Sequence, residues 1–143
     1  MTLSEISMPN SFFTRSVLGL SGLVGLAVGA GILFAPVAFH ATSGIDLGGD
    51  VNLTNEMRAA GGPVLAGSLF VLAGAIWRRF ALSALALATA LYLSYGTGRL
   101  FSMVVDGMPK RELVQVAALE WAIGAACGLV LLAQLRRRAR TAP

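Results

Sequence analysis

Four long apolar runs, at residues 16–39, 58–77, 80–105 and 113–135, constrain this chain more than anything else in it. Each reaches the length of about 20 residues that an α-helix needs to cross a hydrocarbon core. In lipid, backbone amides must find their partners within the protein, so isolated runs of this length fold as helices. The expected fold is all-α: an integral membrane four-helix bundle of two antiparallel helical hairpins. Residues 16–135 would form the transmembrane domain, 1–15 a cytoplasmic amino-terminal segment and 136–143 a basic cytoplasmic tail. Charged residues make up 13% of the chain, against about 25% in soluble domains, which suits a surface that mostly avoids water.

The net charge of +4 does not point to nucleic acid, because the basic residues are not spread over a water-facing surface. Seven of the eleven, Arg15, Arg78, Arg79, Arg136, Arg137, Arg138 and Arg140, flank the runs on one side. The positive-inside rule puts that side, and both termini, in the cytoplasm. Membrane lipids with anionic headgroups are the natural partners of such arginines. Asp46, Asp50, Glu56, Asp106, Glu112 and Glu120 fall toward the outer side. The first run is expected to be retained: it exceeds a signal peptide's apolar region of about 7–15 residues, and residues 38–41 lack a small-x-small site. Cys127 and His40 are the only cysteine and histidine. They supply neither an intrachain disulfide nor a cysteine or histidine-pair metal site, so no metal and no cofactor is expected.

Turn residues punctuate the runs. Arg78-Arg79 makes a tight inner turn. Residues 40–55, rich in Gly, Asp, Asn and Thr, make the longest outer connection, with Thr54 or Asn55 expected to cap the second span. Asp106-Gly107-Met108-Pro109 makes the other outer turn, with Pro109 suited to the first turn of the next helix. Pro36 is expected to kink the first span. Gly61-Gly62-Pro63 is expected to break the second, freeing carbonyls that Arg58 or Arg99 would satisfy. Gly22, Gly25 and Gly29, then Gly67 and Gly74, then Gly124 and Gly128 mark stripes where helices approach closely; a stripe left facing lipid would make a homodimer interface. Residues 29–37 and 96–104 match at five of nine positions (Gly, Gly, Leu, Phe and Val). Either the hairpins are tandem repeats or Gly- and Leu-rich spans coincide by chance.

The informative exceptions are charges inside the spans. Arg99 and Glu120 each lie about 9–10 Å below the outer end of a span at 1.5 Å per residue, on opposite sides of one outer turn. An antiparallel pair of helices brings them to one depth, where an unpaired arginine would cost about 2.5–3.5 kcal/mol. An Arg99–Glu120 ion pair either fixes helix register or forms part of a site. Tyr92, Tyr95, Arg99, Ser102 and Asp106 share 3–4 spacing and hence one stripe, and Arg58 stands at the same side of the membrane. His40 has the chemistry of an acid or base near neutral pH, or sits at the interface with no chemical role. The candidate cluster, ligand-binding or structural, is therefore Arg58, Tyr92, Tyr95, Arg99, Ser102, Asp106, Glu120 and His40.

The ordered set Asn55-Glu56-Met57-Arg58-Ala59-Ala60-Gly61-Gly62, Gly98-Arg99-Leu100-Phe101-Ser102, Asp106-Gly107-Met108-Pro109 and Glu120 resembles the DUF4345 family of small bacterial membrane proteins, over residues 25–132. The resemblance implies a DoxX-like four-helix fold in a bacterial inner membrane, and that Arg58, Arg99, Asp106 and Glu120 belong together. The family has no assigned function, so it implies no catalytic residues.

Three functions compete. An accessory protein would hold a lipophilic ligand, a quinone or isoprenoid lipid, in an apolar cavity with its head at Arg99, Glu120 and Asp106. A structural subunit of a larger membrane complex would have a filled bundle and an exposed contact stripe. An enzyme moving protons on a lipid-soluble substrate would use Glu120 or His40 as base and Arg99 as electrophilic stabiliser. The chain carries no P-loop, HExxH or nucleophile elbow, so the reading leans away from an enzyme.

Overall fold

The computed structural model describes residues 11–141. Most of the expected 1–15 segment and the end of the 136–143 tail lie outside the described residues. The order is α1 (Ser11–Phe34), α2 (Pro36–Ala41), α3 (Val51–Ile76), a 3-10 turn (Arg78–Phe80), α4 (Ala81–Val105) and α5 (Arg111–Thr141). The described residues contain no strand. Four helices are long and apolar enough to cross a membrane, which makes this a multi-pass membrane protein.

Several boundaries differ from the sequence expectation, each for a local reason. Pro36 does more than kink the first span. The residue before a proline is pushed out of the helical region, and Ala35 sits at φ −134°, ψ 54°. So α1 stops at Phe34 and Pro36 opens α2. The second span starts earlier than its apolar run. Its cap is Asp50, not Thr54 or Asn55: the Asp50 carboxylate accepts from the Asn52 and Leu53 amides at 2.8 and 3.2 Å. Thr54 Oγ1 instead donates back to the Asp50 carbonyl. Gly61-Gly62-Pro63 leaves α3 unbroken, because a helix packed in a bundle tolerates one proline. Pro109 stands in the loop ahead of α5, and α5 runs on through Arg136–Arg140.

Close approaches order the helices. Cβ atoms added at Gly22, Gly29 and Gly61 would lie 2.5–2.7 Å from Leu72, Leu65 and Leu33. Numbers rise along one helix as they fall along the other, so α1 and α3 run antiparallel with backbones almost touching. Gly96 and Gly124 do the same between α4 and α5, against Trp121 and Leu93. Gly67 and Gly74 face Leu91 and Ala84, which docks α3 on α4. With no hydrophobic drive between helices in lipid, this intimacy supplies the dispersion contacts that hold them.

Two arginines lock the α1–α3 pair at its ends. Arg15, near the start of α1, donates from Nε to the Ala75 carbonyl at 2.8 Å. Arg58, near the start of α3, donates from Nη1 to the Leu33 carbonyl and, at 3.4 Å, to that of Phe34. Each covers carbonyls that a helix end leaves without amide partners and sets a positive charge on the negative end of the helix dipole.

The tightly packed core lies at one end only. Leu18, Val71, Ala81, Ala84, Leu85, Ala88, Cys127 and Val130 form it, from the start of α1, the end of α3, the start of α4 and the later part of α5. Gln134 Nε2 closes that end with a 3.2 Å bond to Thr14 Oγ1. The other end is hollow.

Candidate functional site

Beyond that core the four long helices enclose a cavity of ≈ 470 Å³. Its walls are Val24, Val28 and Ile32 of α1, Met57, Val64 and Ser68 of α3, Leu91 of α4, and Leu113, Val116 and Leu119 of α5. Phe39 and His40 of α2, Ser43, Ile45 and Leu47 of the following loop, and Leu53 of α3 add to the lining. Leu47, flanked by Asp46 and Gly48 in this polar loop, is buried at 2% exposure. The loop can turn inward because Gly44, Gly48 and Gly49 take φ of +68°, +59° and +72°, a region that suits glycine. Lys110 Nζ donates to the Gly44 carbonyl at 3.0 Å, tying this loop to the one between α4 and α5.

The polar part of the wall is small and concentrated. Arg99 Nε donates to Glu120 Oε2 at 2.9 Å, with the side chains 34% and 13% exposed. Pairing inside the bundle removes the penalty that either charge would face alone. Tyr92 donates its hydroxyl hydrogen to the Ser21 carbonyl. Gly25 makes room for this, since a Cβ there would meet Tyr92 Oη at 3.2 Å. Tyr95 lines the same wall one turn on. His40 Nδ1 lies 2.8 Å from the Pro36 carbonyl. A carbonyl only accepts, so Nδ1 carries the proton and Nε2 of the neutral ring is left as an acceptor.

Five of the eight candidate residues, His40, Tyr92, Tyr95, Arg99 and Glu120, therefore line one cavity. Three do not. Arg58 caps α1. Ser102 Oγ donates to Asp106 Oδ2 at 2.8 Å, an exposed pair that joins the last turn of α4 to the residue after it. The stripe fails at its far end because a straight helix drifts about 20° per heptad, and Asp106 lies two heptads beyond Tyr92. Sequence reasoning missed Ser68, Met57, Phe39 of α2 and the loop residues that reach the cavity. Leu47 carried a signal, as an isolated leucine among Gly and Asp; Ser68 and Met57 carried none.

The arrangement suits an apolar molecule bearing a few oxygen atoms. Ser68 is turned onto the Val64 carbonyl at 2.7 Å, and Cys127 is buried in the closed half. Among the described residues no three His, Cys, Asp or Glu side chains are grouped to hold a metal. The family model described as Domain of unknown function (DUF4345) matches residues 13–132. No curated protein matches the chain, and no solved structure matches it.

Proposed function

The chain belongs to the DUF4345 family, and within it we propose that this protein is an accessory or carrier protein holding a lipophilic ligand, a quinone or isoprenoid lipid, with its polar head at the Arg99–Glu120 pair. One observation carries the reading: the half of the bundle away from the packed core is hollow. At ≈ 470 Å³ the cavity falls within the range of about 300–1,000 Å³ of small-molecule sites, which are mostly apolar with few oriented polar groups. A purely structural subunit has no need of such a space, which costs packing energy.

The same reading sets the protein in a bacterial cytoplasmic membrane as a DoxX-like bundle of two tandem hairpins. Both termini and the Arg78–Arg79 turn would face the cytoplasm, as the loop arginines favour. Gly29 and Gly96, equivalent in the internal similarity, both stand where the next long helix crosses, at Leu65 and Trp121 respectively; this supports the tandem arrangement. Native mass spectrometry of protein released gently from its membrane tests the function. A co-purifying lipophile, displaced by Val28→Phe in the cavity wall, is the expected result. Empty protein that also takes up no added quinone or prenol would overturn it.

A further inference from the structure

The charges that face the cavity identify the kind of head it takes. Among the described residues only Arg99 and Glu120 bring full charges to its lining, and they neutralise each other at 2.9 Å. His40 adds an acceptor nitrogen in its neutral form. The other cations of this end are engaged elsewhere: Arg58 on the end of α1 and Lys110 on the Gly44 carbonyl. Neither these two nor Arg111 lines the cavity.

We infer, on the strength of the proposed lipophile site, that the ligand is a lipid with an uncharged, oxygen-bearing head, and that Glu120 acts as the selectivity element that turns anionic lipids away. Arg99 spends only Nε on Glu120; among the described residues its two Nη groups make no hydrogen bond. They remain donors for a carbonyl or hydroxyl oxygen. The second carboxylate oxygen of Glu120 and Nε2 of His40 accept a hydroxyl hydrogen. A phosphate or carboxylate at the same Nη groups would stand within a few ångströms of the Glu120 carboxylate. Like charges at that distance repel strongly where little water intervenes, and the anion would leave its hydration shell without gaining net positive charge. Ordinary phosphate-binding sites present uncompensated arginines or amide clusters; this one presents an arginine already balanced.

Farnesol and farnesyl phosphate, one chain with two heads, provide the test. Their dissociation constants are measured on the protein in neutral detergent at pH 8. The natural protein is expected to bind the alcohol at least ten-fold more tightly. Glu120→Gln should reverse the order in favour of the phosphate, and the double variant Arg99→Gln, Glu120→Gln should restore it. Equal or tighter binding of the phosphate by the natural protein would overturn the inference while leaving a lipophile site intact. So would a folded Glu120→Gln protein whose preference is unchanged. Failure of the natural protein to bind either probe, or any prenol or quinone, would overturn the site itself. If the variants do not fold, the comparison on the natural protein decides alone.

Discussion

The two halves of the bundle use the same helices to opposite ends. Toward the start of α1 and α4, small residues let the backbones close up: Ala81, Ala84 and Ala88 pack in one cluster with Leu18 and Leu85, and at Gly74 the Ala84 methyl group meets α3 directly. Toward the start of α3 and α5, bulkier side chains line a space they do not fill. A chain free to maximise lipid-phase packing would close both halves alike. Stability is therefore concentrated at one end, while the other keeps room and polar groups.

Substitutions matched across the halves put this contrast at risk. Leu85→Ala, at a fully buried position, should lower unfolding free energy by about 2–5 kcal/mol, read by denaturant titration in mixed micelles. Val116→Ala, which only enlarges existing space, should cost less than about 1 kcal/mol. Equal losses would mean the hollow is closed in the membrane. Enlargement provides the mirror test. Ala84→Leu should cost about 1–3 kcal/mol through overpacking, whereas Val28→Phe should leave stability nearly unchanged and abolish ligand retention. Arg99→Met strands the Glu120 carboxylate and should cost about 1–3 kcal/mol; the double variant Arg99→Met, Glu120→Met should recover most of it. Failure to recover would assign the pair a part in packing beyond charge balance. The smallest effect belongs to Lys110→Met, within about 0.5 kcal/mol as for other exposed sites. Its expected signature is faster ligand exchange, since the strap to Gly44 is gone.

The halves were not equally legible in the sequence. Apolar length alone announces four spans, because lipid leaves the backbone little choice. Depth arithmetic from the Asp106–Pro109 turn places Arg99 opposite Glu120, since an antiparallel pair has few registers. Other features depend on side-chain reach that spacing does not encode. Arg58 looked like a member of the cluster, yet its long stem carries the guanidinium to the end of α1, where the Pro36 break had freed carbonyls. Asp50 is hard to read as the cap because the polar stretch of residues 40–55 runs on past it before the apolar run begins. The cavity was the least readable of all: emptiness is a property of how four surfaces meet, and no residue in a single chain spells it.

Arg15 and Arg58 grip their neighbours from opposite ends of the α1–α3 pair. Sliding either helix by one turn, about 5.4 Å, would tear both grips loose together, so piston-like travel between these two is blocked. They form the stator of the molecule. A stroke that widens or narrows the chamber would then have to move its other walls, α4, α5 and the short α2 segment, against this fixed pair.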